Sequence, residues 1–182
     1  MAYFGAHSLK TIRKDAISEE IKKNVPHPEF NDETFENDIM LLQLKTPVNV
    51  SRTVSINPVP NPVADMRAGT RCFVAGWGAT AEKGGRSDVL QVINLKVIDR
   101  RVCNSLESYN GRITNGMLCA GSTNKQEIDA CEGHGGGPLV CDGLLRGVVS
   151  WGRGCGNFKY PGVYTFISKY DKWIRETIKT SK

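Results

Sequence analysis

Apolar residues in this chain come in short bursts rather than in long stripes. Bursts at residues 39–44, 72–77, 89–97, 117–120, 139–141, 145–151 and 162–167 are separated by Gly, Pro, Asn and charged residues. Within 89–97, apolar Val92, Ile93, Leu95 and Val97 partly alternate with Gln91, Asn94 and Lys96, as on a strand with one buried face. Short strands without helical stretches between them predict an all-β barrel or sandwich. The pattern changes only near the end. After Ile167, the residues Tyr170, Trp173, Ile174 and Ile178 recur at three- and four-residue steps, with Lys169, Lys172, Arg175 and Lys179 between them. That period predicts an amphipathic helix over 168–182, docked by one face and basic on the other.

A proline-rich stretch, Asn57-Pro58-Val59-Pro60-Asn61-Pro62, cannot supply the N–H donors of a sheet ladder. It predicts a linker over 57–68, dividing a short first part (1–56) from a longer second part (69–167) that precedes the helix. No internal repeat stands out.

Composition narrows the class. Of 182 residues, 40% are apolar, enough to bury a core, which excludes a disordered chain. No uninterrupted run of about 18 apolar residues is present to form a transmembrane helix. The charge is +5, from 24 basic and 19 acidic residues. Such an excess allows weak binding to anionic glycans but carries no nucleic-acid signature, so nucleic acid is not an expected partner.

The six cysteines are Cys72, Cys103, Cys119, Cys131, Cys141 and Cys155, with no C-x-x-C pair among them. His7, His27 and His134 lie at no zinc-ligand spacing to them, so neither a metal nor another cofactor is expected. An even count in a Gly-rich, strand-rich chain points to disulfides and the secretory route, though six cysteines allow 15 pairings. The sequon Asn49-Val50-Ser51 is compatible with that route. The opening Met1-Ala2-Tyr3-Phe4-Gly5-Ala6-His7-Ser8-Leu9-Lys10 does not read as a signal peptide, having no basic segment ahead of an apolar one. A disulfide-type body behind such an opening leads us to expect a natural start further upstream.

The densest chemistry lies in Asp129-Ala130-Cys131-Glu132-Gly133-His134-Gly135-Gly136-Gly137-Pro138-Leu139-Val140-Cys141. Consecutive glycines let backbone N–H groups converge into an anion or oxyanion nest. No Lys-Ser or Lys-Thr follows them, so this is not a P-loop. On the residues alone, a tight turn pinned by disulfides explains the segment as well as a nest does.

The same segment resembles the nucleophile loop of the chymotrypsin-fold serine proteases, which reads C-x-G-D-S-G-G-P-L-V-C. Further landmarks of that family occur in order: Asn37-Asp38-Ile39-Met40-Leu41-Leu42, Val74-Ala75-Gly76-Trp77-Gly78, Met117-Leu118-Cys119-Ala120-Gly121, Val149-Ser150-Trp151-Gly152 and Tyr160-Pro161-Gly162-Val163-Tyr164-Thr165. Gly5-Ala6-His7-Ser8-Leu9, with Asn104-Ser105 and Tyr109-Asn110-Gly111, is similar to the branch containing granzymes A and K. The resemblance implies a double antiparallel β-barrel with a C-terminal helix. At this length the first barrel would be incomplete, with 1–56 its remnant. It also implies the disulfides Cys72–Cys141, Cys103–Cys119 and Cys131–Cys155.

The family cleaves peptides with a Ser nucleophile, a His base and an Asp that orients the His. Asp38 matches the acid, while Gly135 stands where the Ser would be and His134 where an acid usually shapes the oxyanion loop, here Gly133, His134 and Gly135. The 182 residues contain neither the family's T-A-A-H-C histidine motif nor its I-V-G-G activation terminus; His7 and His27 sit in other contexts. Asp129 matches the base of a pocket for Lys or Arg side chains. Ser150, Trp151 and Gly152 match the strand that pairs with substrate, and Gly162 leaves room for a long side chain. The resemblance therefore implies an inactive, trypsin-type or granzyme-type homologue, secreted or stored in granules, that binds Lys- or Arg-containing peptides. The alternative is an incomplete sequence of an active trypsin-like endopeptidase.

Overall fold

The computed structural model describes residues 1–79, 85–122, 133–154, 157 and 159–181. Strand β1 (Ala2–Phe4) pairs antiparallel with β2 (Ile17–Glu19), and a single helical turn, α1 (Ile12–Asp15), lies between them. Strand β3 (Ile21–Pro26) pairs with β4 (Met40–Leu44) in a second antiparallel ribbon. Among the described residues these two ribbons remain separate two-stranded sheets.

Six further strands close a barrel: β5 (Arg71–Gly76), β6 (Gln91–Ile98), β7 (Met117–Gly121), β8 (Pro138–Cys141), β9 (Leu144–Trp151) and β10 (Gly162–Phe166). Around the barrel the order is β10-β7-β6-β5-β8-β9, every neighbour antiparallel. The fold is thus mostly β, with a closed six-stranded barrel and a short C-terminal helix. Alternation explains the closure. In β5 Cys72, Val74 and Gly76 are buried, and in β6 Ile93, Leu95 and Val97 are, while Asn94 and Lys96 face outward. The core joins these to Leu118, Leu139, Tyr164 and Phe166. Cys72 and Cys141, partners in register across β5 and β8, are disulfide-bonded. Cys103, at the end of the one-turn helix α2 (Arg100–Cys103), is bonded to Cys119 in β7. The third implied pair, Cys131–Cys155, lies outside the described residues.

The C-terminal element begins as a 3-10 turn (Ile167–Tyr170) and continues as α3 (Asp171–Thr180). Ile167, Tyr170 and Ile174 are buried against Ile39, Leu41, Leu145 and Val148, which fastens the β4 ribbon to the barrel through this helix. Two sequence expectations need correction. The chain is helical in α1 and α2 as well as at its end, and the terminal element is not one continuous helix over 168–182. The stretch 57–68 forms no strand, as the prolines predict, but it lies as a strap across the barrel. Arg146 Nη1 donates to the Asn61 carbonyl at 3.0 Å and Lys169 Nζ to that of Ala64 at 2.5 Å. Asp65 pairs with Arg100 through both carboxylate oxygens at 3.0 Å.

Candidate functional site

Asp38 sits between the β4 ribbon and the barrel, half-buried. Ser150 Oγ donates to its Oδ2 at 2.6 Å, and Thr165 Oγ1 donates to its backbone carbonyl at 2.6 Å. Beside it, the Tyr170 hydroxyl donates to Asn37 Oδ1 at 3.2 Å. Burial pushes the Tyr170 phenol above its usual range, a hydrogen bond with the Asn37 backbone opposes this, and the Glu36 and Asp38 charges add to the rise. Phe35 and Asn37 both hold left-handed backbone, with φ of 58° and 57°. A non-glycine residue there is strained, so the surroundings must over-determine this turn.

Each histidine has surroundings of its own, and the His27 N–H donates to the Ile39 carbonyl beside Asp38 at 2.9 Å. His27 lies edge-on to Tyr170 at 5.4 Å and against Trp173 at 4.8 Å, so it is a partly covered packing residue rather than a plain surface histidine. His7 is exposed, and its carbonyl accepts from Trp77 Nε1 at 3.0 Å. His134 is only 1% exposed. Its ring fills a slot walled by Gly76 and Gly78, where a Cβ would fall 2.6 Å and 2.2 Å from ring atoms.

The loop from Gly133 to Gly137 turns sharply at this point. The Gly137 N–H donates to the His134 carbonyl at 2.8 Å, with Gly136 at φ 79°, the signature of a type II turn. Gly133, at φ 95°, packs so closely on Gly78 that a side chain there would meet its Cα at 3.0 Å. Gly135 differs from both neighbours. Its φ is outside the left-handed region, and a Cβ added to it meets nothing within 4 Å. The position is therefore open to a side chain, and glycine is not required there by the backbone.

Gly152 lies beside Gly162, where a Cβ on the former would make only ordinary contact, 3.8 Å from the latter's Cα. A Cβ on Gly162 would lie 3.0 Å from the Tyr164 hydroxyl, so that glycine serves a tight approach of backbone and ring. The structure thus brings Asp38 to Ser150 and places Trp151, Gly152 and Gly162 in one region. Asp129 lies outside the described residues. Sequence reasoning overlooked the walls of the His134 slot, although Gly76 and Gly78 lie in a stretch it singled out. It also passed over Phe35 and Arg112, which lie against the Trp151 ring, and Arg153, which stands over Tyr109 and Tyr160.

Comparison with known proteins agrees with this geometry. Residues 1–174 match the profile described as Trypsin. Granzyme A of Bos taurus is 42% identical over 180 residues, covering 96% of this chain and 68% of that protein. A trypsin of Xenopus laevis is 43% identical over 157 residues, covering 86% of this chain and 63% of its own length. The chain therefore spans about two thirds of the length of these curated relatives. Among solved structures, neuropsin, a serine protease expressed in the limbic system of mouse brain, superimposes with a TM-score of 0.85 at 36% identity, covering 97% of this chain and 78% of that one.

Proposed function

The chain belongs to the trypsin family of serine proteases, and from that premise we propose that it is a catalytically inactive member that acts by binding peptide segments carrying Lys or Arg. The observation that carries the proposal is Gly135 at the nucleophile position, on a backbone that would accept a side chain without strain. Glycine offers no oxygen to attack a carbonyl. In subtilisin, an unrelated serine protease, losing the serine costs about 2 × 10⁶ in kcat, or roughly 8.6 kcal/mol at about 1.36 kcal/mol per decade. The buried imidazole of His134, where relatives hold an acid, supports the same reading, because the loop is shaped here by packing on glycine.

The binding half of the proposal rests on Asp129 as the base of the pocket, with Ser150, Trp151, Gly152 and Gly162 along its approach. A carboxylate at the end of a slot recognises a guanidinium or ammonium by charge-assisted hydrogen bonds. The two disulfides among the described residues support a secretory, oxidising route.

One experiment separates the two halves. The oxidised protein and its Gly135→Ser variant are treated with a fluorophosphonate probe and a Lys or Arg thioester, and benzamidine binding is measured by calorimetry. Neither form is expected to label or to turn over substrate, since the parent has no nucleophile at Gly135 and no histidine of this sequence sits in the family's T-A-A-H-C motif to serve the variant as base; both are expected to bind benzamidine. Labelling or turnover by the unaltered chain would overturn inactivity, and turnover by the Ser variant would refute the missing-base argument. Absence of benzamidine binding would overturn the pocket.

A further inference from the structure

Trp151 lies at the centre of a cluster of rings and cations. Tyr109 meets it edge-on at 4.9 Å, and Phe35 lies nearly parallel to it, with 25° between planes and 6.3 Å between centroids. The Arg112 guanidinium stands 5.3 Å over the Trp151 ring. Arg153 stands 5.8 Å over Tyr109 and 5.2 Å over Tyr160, and Lys159 lies 6.0 Å from Tyr160. A chain of this length would show about two or three such pairs, at roughly one per 70–80 residues. Here four converge on one patch, so scattered surface chemistry does not account for them.

Two more observations turn the cluster into a site. Arg112, Arg153 and Lys159 are all exposed, and among the described residues none of them is in a salt bridge. Strand β9 also leaves an edge open. Trp151 pairs with Val163 on one side; on the other, β8 ends its pairing at Pro138 opposite Val148, and the turn takes over only Val149. Residues 150–152 therefore present backbone groups with no strand neighbour on that side among the described residues.

We propose that this patch binds an acidic side chain of an extended peptide. The peptide backbone adds to the free edge of β9, the carbon stem of its Glu or Asp lies on Trp151 and Phe35, and the carboxylate meets Arg112 and Arg153. Strand addition supplies sequence-independent affinity, and the guanidinium forks supply selectivity for a carboxylate. The proposal deepens the peptide-binding reading above and rests on it.

The test uses dansyl-Glu-Glu-Gly-Arg-amide, its Gln-Gln counterpart and its Lys-Lys counterpart, with binding read by fluorescence anisotropy at low salt. The Glu peptide is expected to bind about fivefold more tightly than the Gln peptide, the sum of two exposed charge pairs. Arg112→Gln with Arg153→Gln removes that preference. Arg101→Gln with Lys179→Gln, which lowers the net charge equally on exposed positions away from the patch, leaves it intact. Equal affinity for the Glu and Gln peptides would overturn the acidic site while leaving peptide binding standing. A preference surviving the Arg112/Arg153 pair would assign it to overall charge and also overturn the site. No binding of any of the three would refute both this inference and the peptide-binding reading.

Discussion

Adding one methyl group at Gly78 tests whether the buried His134 ring sets the shape of the Gly133–Gly137 loop. The new carbon would lie 2.2 Å from His134 Nδ1, 2.6 Å from Cε1 and 2.7 Å from Cγ. Ordinary contacts begin near 3.4 Å, so the ring must retreat by about an ångström. It has nowhere obvious to go, being 1% exposed with Gly76 forming another wall. Overpacking of this kind costs about 1–3 kcal/mol, which in a chain of this size lowers Tm by about 2–4 °C per kcal/mol. Urea titration of Gly78→Ala should therefore show a lower midpoint at unchanged slope.

Gly85→Ala is the control, because a Cβ there meets nothing within 4 Å and its φ is not left-handed. It should be neutral or slightly stabilising. The decisive arm is the double variant Gly78→Ala/His134→Ala. If the two sites oppose each other directly, the second substitution makes room for the first, and the combined loss falls short of the sum by at least about 1 kcal/mol. Additive losses, or a Gly78→Ala variant as stable as the parent, would refute the claim that this ring and this glycine share one space.

The remaining predictions concern the ties that hold the chain together. Replacing Cys103 and Cys119 together by Ser opens a loop with a sequence separation of 16 and should cost about 3 kcal/mol; the Cys72–Cys141 pair, with a separation of 69, should cost about 4, both read from thermal melts. Asp65→Asn should lose about 1 kcal/mol at neutral pH, by loosening the strap from Arg100. Burial alone would raise the Asp65 pKa, but the Arg100 hydrogen bond, the Met66 N–H and the charges of Arg100 and Lys169 bring it below 3.8. A depressed acid contributes stability above its unfolded pKa and loses it as pH falls through the folded one, so the gap between parent and Asp65→Asn should hold above about pH 5 and close toward pH 3. A gap that widened on acidification would reverse that assignment. Asp38→Ala should cost about 1–3 kcal/mol in urea titration by stranding the Ser150 hydroxyl.

The barrel was legible in the sequence because its strands are buried on one face, so the apolar residues of β5 and β6 mark them. Strands β1 and β2 escaped notice, since three residues such as Ile17-Ser18-Glu19 are too few to show alternation. In β3 only Ile21 and Val25 are shielded, while Lys22, Lys23 and Asn24 are exposed, because that ribbon covers little else. The four-residue helices α1 and α2 are single turns and carry no period at all. The 3-10 start of the last element is equally hidden, because Tyr170 fits a three-residue and a four-residue spacing alike. At the site, motifs located Asp38, Gly135, Ser150 and Trp151 but not Phe35 or Arg112. Contacts such as Phe35 on Trp151 or Arg112 over the same ring join distant stretches, and only the fold brings them together.

Those contacts also bear on what Asp38 does for the fold, whatever its part in chemistry. Residues 35–38 touch the barrel and the final helix at four points: Phe35 on Trp151, Asn37 to Tyr170, the Asp38 carbonyl to Thr165 and its carboxylate to Ser150. Two of these residues hold left-handed backbone that needs such support. Asp38 is therefore a bracket between the first ribbon and the barrel, and its charge accepts a hydrogen bond that a neutral isostere would accept more weakly. Position 135 has no comparable tie: a Cβ there would touch nothing, so the fold gains little from a side chain at it. Asp38 is thus tied into the fold through both its carboxylate and its carbonyl, whereas residue 135 is tied by no side chain at all.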